Sequence, residues 1–106
     1  MTNTQLAWLS GLFEGEGSIY IRKKQRGLIL QLASTDEDIL LRLQSLAGGK
    51  YRLKIRNSAP KHWKPIYEWK LHANADCYQL LLNMLPFFGE RRSYKTLNAL
   101  DHLDQT

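Results

Sequence analysis

Cysteine is all but missing from this 106-residue chain. Cys77 stands alone, so no internal disulfide can form, and its neighbours do not offer metal-ligand spacing. It falls within a helical pattern and reads as a buried, inert thiol. The three histidines, His62, His72 and His102, are too scattered along the chain to suggest a metal site. No apolar run is long enough to span a bilayer, and residues 1–5 are polar, so neither a membrane span nor a secretory signal is expected. The expected setting is therefore intracellular. Linkers, low-complexity segments and a clear internal repeat are missing too. Acidic residues are in short supply, ten against fifteen Lys and Arg, which gives a formal charge of +5 and a sequence pI near 9.5. An acidic partner is implied, with nucleic acid the first candidate and an anionic membrane the second.

What is present fits one domain over residues 1–106, long enough for a modest core. Asn3 or Thr4 can cap a first helix that runs to about Glu14. Residues 18–24 then alternate Ile19 and Ile21 with Tyr20, Arg22 and Lys24, the period of a half-buried strand. Gln25, Arg26 and Gly27 form a turn, and Leu28, Leu30 and Leu32 alternate with Ile29, Gln31 and Ala33 in a second strand. Ser34 to Glu37 has the pattern of a capping box for a second helix, which carries Ile39, Leu40, Leu43 and Leu46 and stops at Gly48 and Gly49. A third strand over 50–56 places Tyr51, Leu53 and Ile55 inside, and a polar loop over 57–64 leads to a fourth strand over 66–72. Asn74 is expected to cap a third helix with Tyr78, Leu81, Leu82 and Leu85, ended by Pro86. A last helix carries Tyr94, Leu97, Leu100 and Leu103. The predicted order is αββαββα plus a C-terminal helix: an α+β fold with a four-stranded antiparallel sheet and helices on one face.

Charge follows this division. Residues 18–34 hold four basic residues and residues 50–72 hold seven, eleven of the fifteen, against a single acid, Glu68. With helices on one sheet face, the other carries Tyr20, Arg22, Lys24, Gln31, Arg52, Lys54, Arg56, Glu68 and Lys70, with Arg26 in the adjoining turn. Arg and Lys address guanine edges or phosphates, Gln pairs with adenine, and a β-ribbon fits the major groove. Lysines and arginines can also simply guard sheet edges, but three or more strands sharing one sign favour binding. Trp69 reads as core. Trp63, in the basic loop, serves equally well against DNA or over the end of the sheet, and Trp8 lies between two faces of the first helix.

The organising stretch is residues 9–17, LSGLFEGEG. Leu9, Leu12 and Phe13 share one helical face, while Ala7, Ser10, Gly11 and Glu14 share another that has little bulk and lets two helices approach closely. Gly15 and Gly17 bracket Glu16, so a left-handed exit from the helix is expected there. This stretch resembles the signature of the LAGLIDADG homing endonucleases, with Glu16 in place of the more common aspartate. The αββαββα order, Gly48 and Gly49 after the second helix, and Leu85, Pro86, Phe87 and Phe88 before the last extend the likeness to about residues 5–103.

The resemblance implies a homodimer whose motif helices meet at Ala7, Ser10, Gly11 and Glu14, although Glu14 could instead cap a helix. It implies a sheet that forms a saddle over the DNA major groove, and Glu16 as ligand of a divalent metal, Mg²⁺ by preference. It implies hydrolysis of both strands of a long, near-palindromic duplex. Arg91 matches the basic residue that the family carries near the start of the last helix, and as an arginine it can stabilise phosphate charge but not shuttle a proton. Ser34 or Thr35 matches a polar position that helps to place water, though both double as helix caps. Other readings of the same chain are a non-catalytic DNA-binding regulator, an RNA maturase, and a protein-interaction domain without nucleic acid.

Overall fold

Alternation and capping chemistry dictate most of what the chain builds. The computed structural model describes residues 1–22, 27–54 and 65–104. In order they form α1 (Asn3–Glu16), β1 (Gly17–Arg22), β2 (Gly27–Ser34), α2 (Glu37–Ala47), β3 (Lys50–Lys54), β4 (Ile66–Leu71), α3 (Asn74–Met84), a 3₁₀ turn (Leu85–Phe87) and α4 (Glu90–Asp104). The strands make one antiparallel sheet in the order β1-β2-β4-β3, so β2 and β4 are central. This is the expected αββαββα arrangement with its extra helix. No described helix is long and apolar enough to cross a membrane.

The period-2 pattern settles which sheet face is inside. Ile19, Leu28, Leu30, Leu32, Trp69 and Leu71 are buried, and they pack with Leu9, Phe13, Leu40, Leu43, Leu81 and Met84 of the helices. Each such side chain contributes about 1.5–3 kcal/mol by leaving water. Trp69, expected in the core, has no exposed surface and donates its indole N–H to the Gly48 carbonyl at 2.7 Å. Gly48 and Gly49 have φ of 75° and 84°. A Cβ on Gly49 would stand 2.7 Å from both the Lys70 carbonyl oxygen and Trp69 Nε1. Only a glycine turns there without a clash.

Local chemistry departs from the sequence reading at several points. Thr2, rather than Asn3 or Thr4, caps α1, because Gln5 lies three residues on and completes a reciprocal box (2.9 and 3.1 Å). The helix continues two residues beyond Glu14, so Glu16 occupies its last position. Gly17 leaves it with φ −78°, in extended backbone that any residue adopts. What Gly17 needs is room: an added Cβ would lie 2.5 Å from the Phe13 ring. No capping box forms at Ser34. Its Oγ accepts from the Asp36 N–H at 3.0 Å, and α2 starts at Glu37 without a side-chain cap. Asn74 does not cap α3 either; its Oδ1 accepts from the Leu28 N–H and ties the helix start to β2.

The last helix is rotated from the expected stripe. Arg92, Thr96, Ala99 and Leu100 face inward, while Tyr94 and Leu97 are 68% and 50% exposed. The small residues Thr96 and Ala99 seat α4 close to its neighbours, and Arg92 fixes its rotation from the N-terminal end. Trp8 is half-buried with the Arg42 guanidinium 4.1 Å from its ring centre, a cation–π contact between α1 and α2.

Candidate nucleic-acid interface and motif carboxylate

The residues that alternate with the core side chains form the open sheet face. Strand pairing aligns them in rows. Ser18, Gln31, Lys70 and Lys50 run across all four strands, and Ala33, Glu68 and Arg52 form the next row. Tyr20, 50% exposed, stands opposite Ile29, and Arg22 opposite Gly27. The Arg52 side chain is 70% exposed. These positions match the expected set, and Lys54 closes β3. Lys24, Arg26 and Arg56, like Trp63, lie outside the described residues. Lys50 was missed, although the alternation that selects Arg52 selects it too.

Glu68 differs from the rest of that set. It is 3% exposed. Gln31 Nε2 donates to its Oε2 at 3.0 Å, and Arg52 Nη2 and Lys70 Nζ each lie 3.4 Å from its Oε1. As placed, it holds its neighbours and is not itself presented to a ligand.

At one end of this sheet α1 passes directly into β1. Glu16 is exposed there, and its side chain makes no hydrogen bond or ion pair among the described residues. The pairing of Gly17 with Leu32 brings the Ser34 end of β2 to the same edge. Ser34 is half-buried and Thr35 exposed. The start of α4 is fastened to this corner by Glu14, whose Oε1 accepts from the Gly89 N–H at 3.1 Å, where the helix dipole favours negative charge. Arg92, 9% exposed, donates to the Glu14 carbonyl at 3.1 Å and sets its Nε 3.7 Å from Glu14 Oε2. Arg91, the expected basic residue, is exposed one position earlier. Arg92 is the arginine that grips the motif helix, and adjacent arginines give the sequence no means of telling them apart.

The proposed contact stripe on α1 divides in two. Ser10 is 1% exposed and Glu14 is engaged with α4, so both point into the chain's own structure. Ala7 and Gly11 remain exposed, and Gly15 extends their line. A Cβ on Gly11 or Gly15 would meet nothing within 4 Å. The stripe is open and almost flat.

Among the described residues no three or more His, Cys, Asp or Glu side chains are grouped to hold a metal ion. Cys77 is buried, its Sγ donating to the Leu71 carbonyl at 3.2 Å, and burial pushes its pKa up to about 11. It is an inert core thiol, as its helical pattern suggested.

A family model described as LAGLIDADG-like domain matches residues 3–84, most of the chain. The chain belongs to the LAGLIDADG-like domain family. Among curated proteins, an intron-encoded DNA endonuclease, ai2b, of Dictyostelium discoideum is 31% identical over 65 residues, 58% of this chain and 25% of that protein. Among solved structures, the homing endonuclease I-CvuI bound to its target with calcium superposes with a TM-score of 0.71 at 20% identity, over 95% of this chain and 66% of that one. I-CvuI with an I-CreI target in magnesium, the DNA uncleaved, gives a TM-score of 0.66 at 18% identity, with the same coverage. This LAGLIDADG-like chain therefore spans a quarter of the curated relative and just under two thirds of the solved endonuclease. At these identities the structural likeness establishes the fold.

Proposed function

We propose that this LAGLIDADG-like chain is a metal-dependent DNA endonuclease that works as a two-fold dimer on a near-palindromic duplex. One observation carries the reading. An exposed carboxylate, Glu16, which makes no ion pair among the described residues, ends a helix beside a bare stripe of small residues, at the edge of a sheet whose open face is basic. One copy has a single such carboxylate, and a two-fold dimer through Ala7, Gly11 and Gly15 would place two near its axis, one for each strand. The named relatives act on or are bound to DNA, which supports the same partner here.

The donor chemistry at Glu16 fits a hard divalent ion such as Mg²⁺, which takes oxygen ligands from one or two carboxylates and completes its shell with phosphate and water. Such an ion, when bound, would lower the pKa of the attacking water and neutralise charge on the leaving oxygen. The protein residues have simpler tasks. Glu16 supplies the anionic oxygen at the helix end. Exposed Arg91 meets phosphate charge, and Ser34 or Thr35 offers a hydroxyl that can position water at the same edge. Arg92 and Glu14 keep that corner rigid. Lys50, Arg52, Lys70, Arg22 and Tyr20 meet the duplex, with counterion release supplying much of the affinity.

Selection from a randomised palindromic duplex library, in Mg²⁺ and in Ca²⁺, with Glu16→Gln alongside, tests this reading. The expected result is one defined site, cut on both strands in Mg²⁺ and left whole by the variant. A defined site bound in both ions and never cut would leave a DNA-binding protein without nuclease activity.

A further inference from the structure

An acid in the middle of a basic, solvent-facing sheet calls for an explanation. Glu68 is 3% exposed, covered by donors from three strands: Gln31 of β2, Arg52 of β3 and Lys70 of β4. A carboxylate reads DNA by accepting from cytosine N4, and one lying beneath its own donors is not presented for that. Its negative charge also opposes phosphate. Its physical effect falls on the donors. With Nε2 turned to a carboxylate, the Gln31 amide has one orientation, and its Oε1 and second N–H are left for other partners. Arg52, 70% exposed, is anchored at its tip, and Lys70 is held likewise, so both long side chains sample fewer positions than free surface cations would.

We propose that Glu68 is a positioning residue for sequence discrimination, fixing Gln31, Arg52 and Lys70 as a pre-organised donor set and lowering the sheet's attraction for phosphate of any sequence. The proposal rests on the open face being the DNA interface. Glu68→Gln keeps the shape and removes the charge. Binding is measured against the randomised duplex library and against one fixed, unselected duplex over a range of salt. The variant is expected to lose about tenfold in discrimination at the base pairs that face β2 and β4. It should bind the unselected duplex more tightly, with a log–log salt slope steeper by about 0.9 for each phosphate newly met. Glu68→Asp, which keeps the charge, should recover part of the discrimination.

A folded Glu68→Gln protein with wild-type preference and slope overturns the proposal. If that variant does not fold, hydrogen exchange of the Gln31 side-chain amide in the wild-type chain decides. Protection relative to the exposed Asn98 side-chain amide, which makes no hydrogen bond among the described residues, supports the proposal, and equal exchange overturns it. Failure of the underlying reading looks different: the wild-type chain itself would show no salt-dependent binding to any duplex, and the proposal would fall with it.

Discussion

Arg92→Met cuts the fastening between the motif helix and α4 at its centre. The wild-type guanidinium donates to the Glu14 carbonyl at 3.1 Å. A hydrogen bond from a charged group contributes about 1.5–3 kcal/mol net. Its ion pair with the Glu14 carboxylate, at 3.7 Å with that side chain 40% exposed, adds at most about 0.5 kcal/mol once solvent screening is allowed for. The guanidinium also lies 5.7 Å from the Phe13 ring centre, near the outer limit of a cation–π contact, for roughly another 0.5 kcal/mol. Methionine returns some apolar packing but leaves Glu14 Oε2, which is shielded from solvent and has no hydrogen bond, without its neighbouring cation. The net loss is about 2–3 kcal/mol, a large share of the roughly 5–15 kcal/mol that holds a domain folded. At about 4–8 °C per kcal/mol for a domain near this size, Tm falls by roughly 10–20 °C. Thermal and urea unfolding of Arg92→Met and Arg91→Met measure this side by side. Arg91 is exposed, so its variant should stay within about 0.5 kcal/mol of wild type. Equal stability of the two variants would refute the assignment of the fastening to Arg92.

Other consequences can be checked in the same preparations. Gly49→Ala should cost more stability than Gly48→Ala: both positions have positive φ, but a Cβ at 49 also strikes the Lys70 carbonyl and Trp69, whereas at 48 it meets open space. Gly11→Leu should leave the monomer fold intact while abolishing any dimer seen by sedimentation, because the side chain projects into open space on the α1 stripe. Cys77 should resist alkylation at pH 8 in the native chain and react once the chain is unfolded. Burial raises its pKa from 9.0 to about 11, so the folded state favours the protonated thiol. The stabilisation that this supplies is complete below pH 9 and fades as the pH rises through 11. The stability difference between wild type and Cys77→Ala should change across that window and stay constant below it.

The sequence was most informative where one residue type recurs at a fixed period. Leu28, Leu30 and Leu32 set the inner face of β2, and the run of basic residues on alternate positions set the outer face. The LSGLFEGEG stretch pointed to the family and to Glu16, but it placed the helix end at about Glu14 with a left-handed exit, whereas the helix runs on to Glu16 and leaves through extended backbone. Less legible were choices among chemically equal neighbours. Thr2, Asn3 and Thr4 can all cap a helix, and only the reciprocal bond with Gln5 selects Thr2. Arg91 and Arg92 are distinguished by the rotation of α4, which depends on how closely Thr96 and Ala99 seat it. Ser10 and Glu14 look like surface positions in a small-residue stripe, yet Ser10 is buried and Glu14 is tied to Gly89 and Arg92 at the start of α4. The burial of Glu68 was equally hidden, since its donors come from three strands and the farthest, Gln31, lies 37 residues from it along the chain.

The most direct test of one carboxylate per chain and two chains per site is a mixing experiment on a supercoiled plasmid that carries the selected site. Wild-type protein in Mg²⁺ is predicted to give linear DNA, Glu16→Gln alone to give none, and re-annealed mixtures of the two to give nicked circles from mixed dimers. Double-strand cutting by Glu16→Gln alone, or mixtures that yield linear DNA only and no nicked circles, would contradict the account.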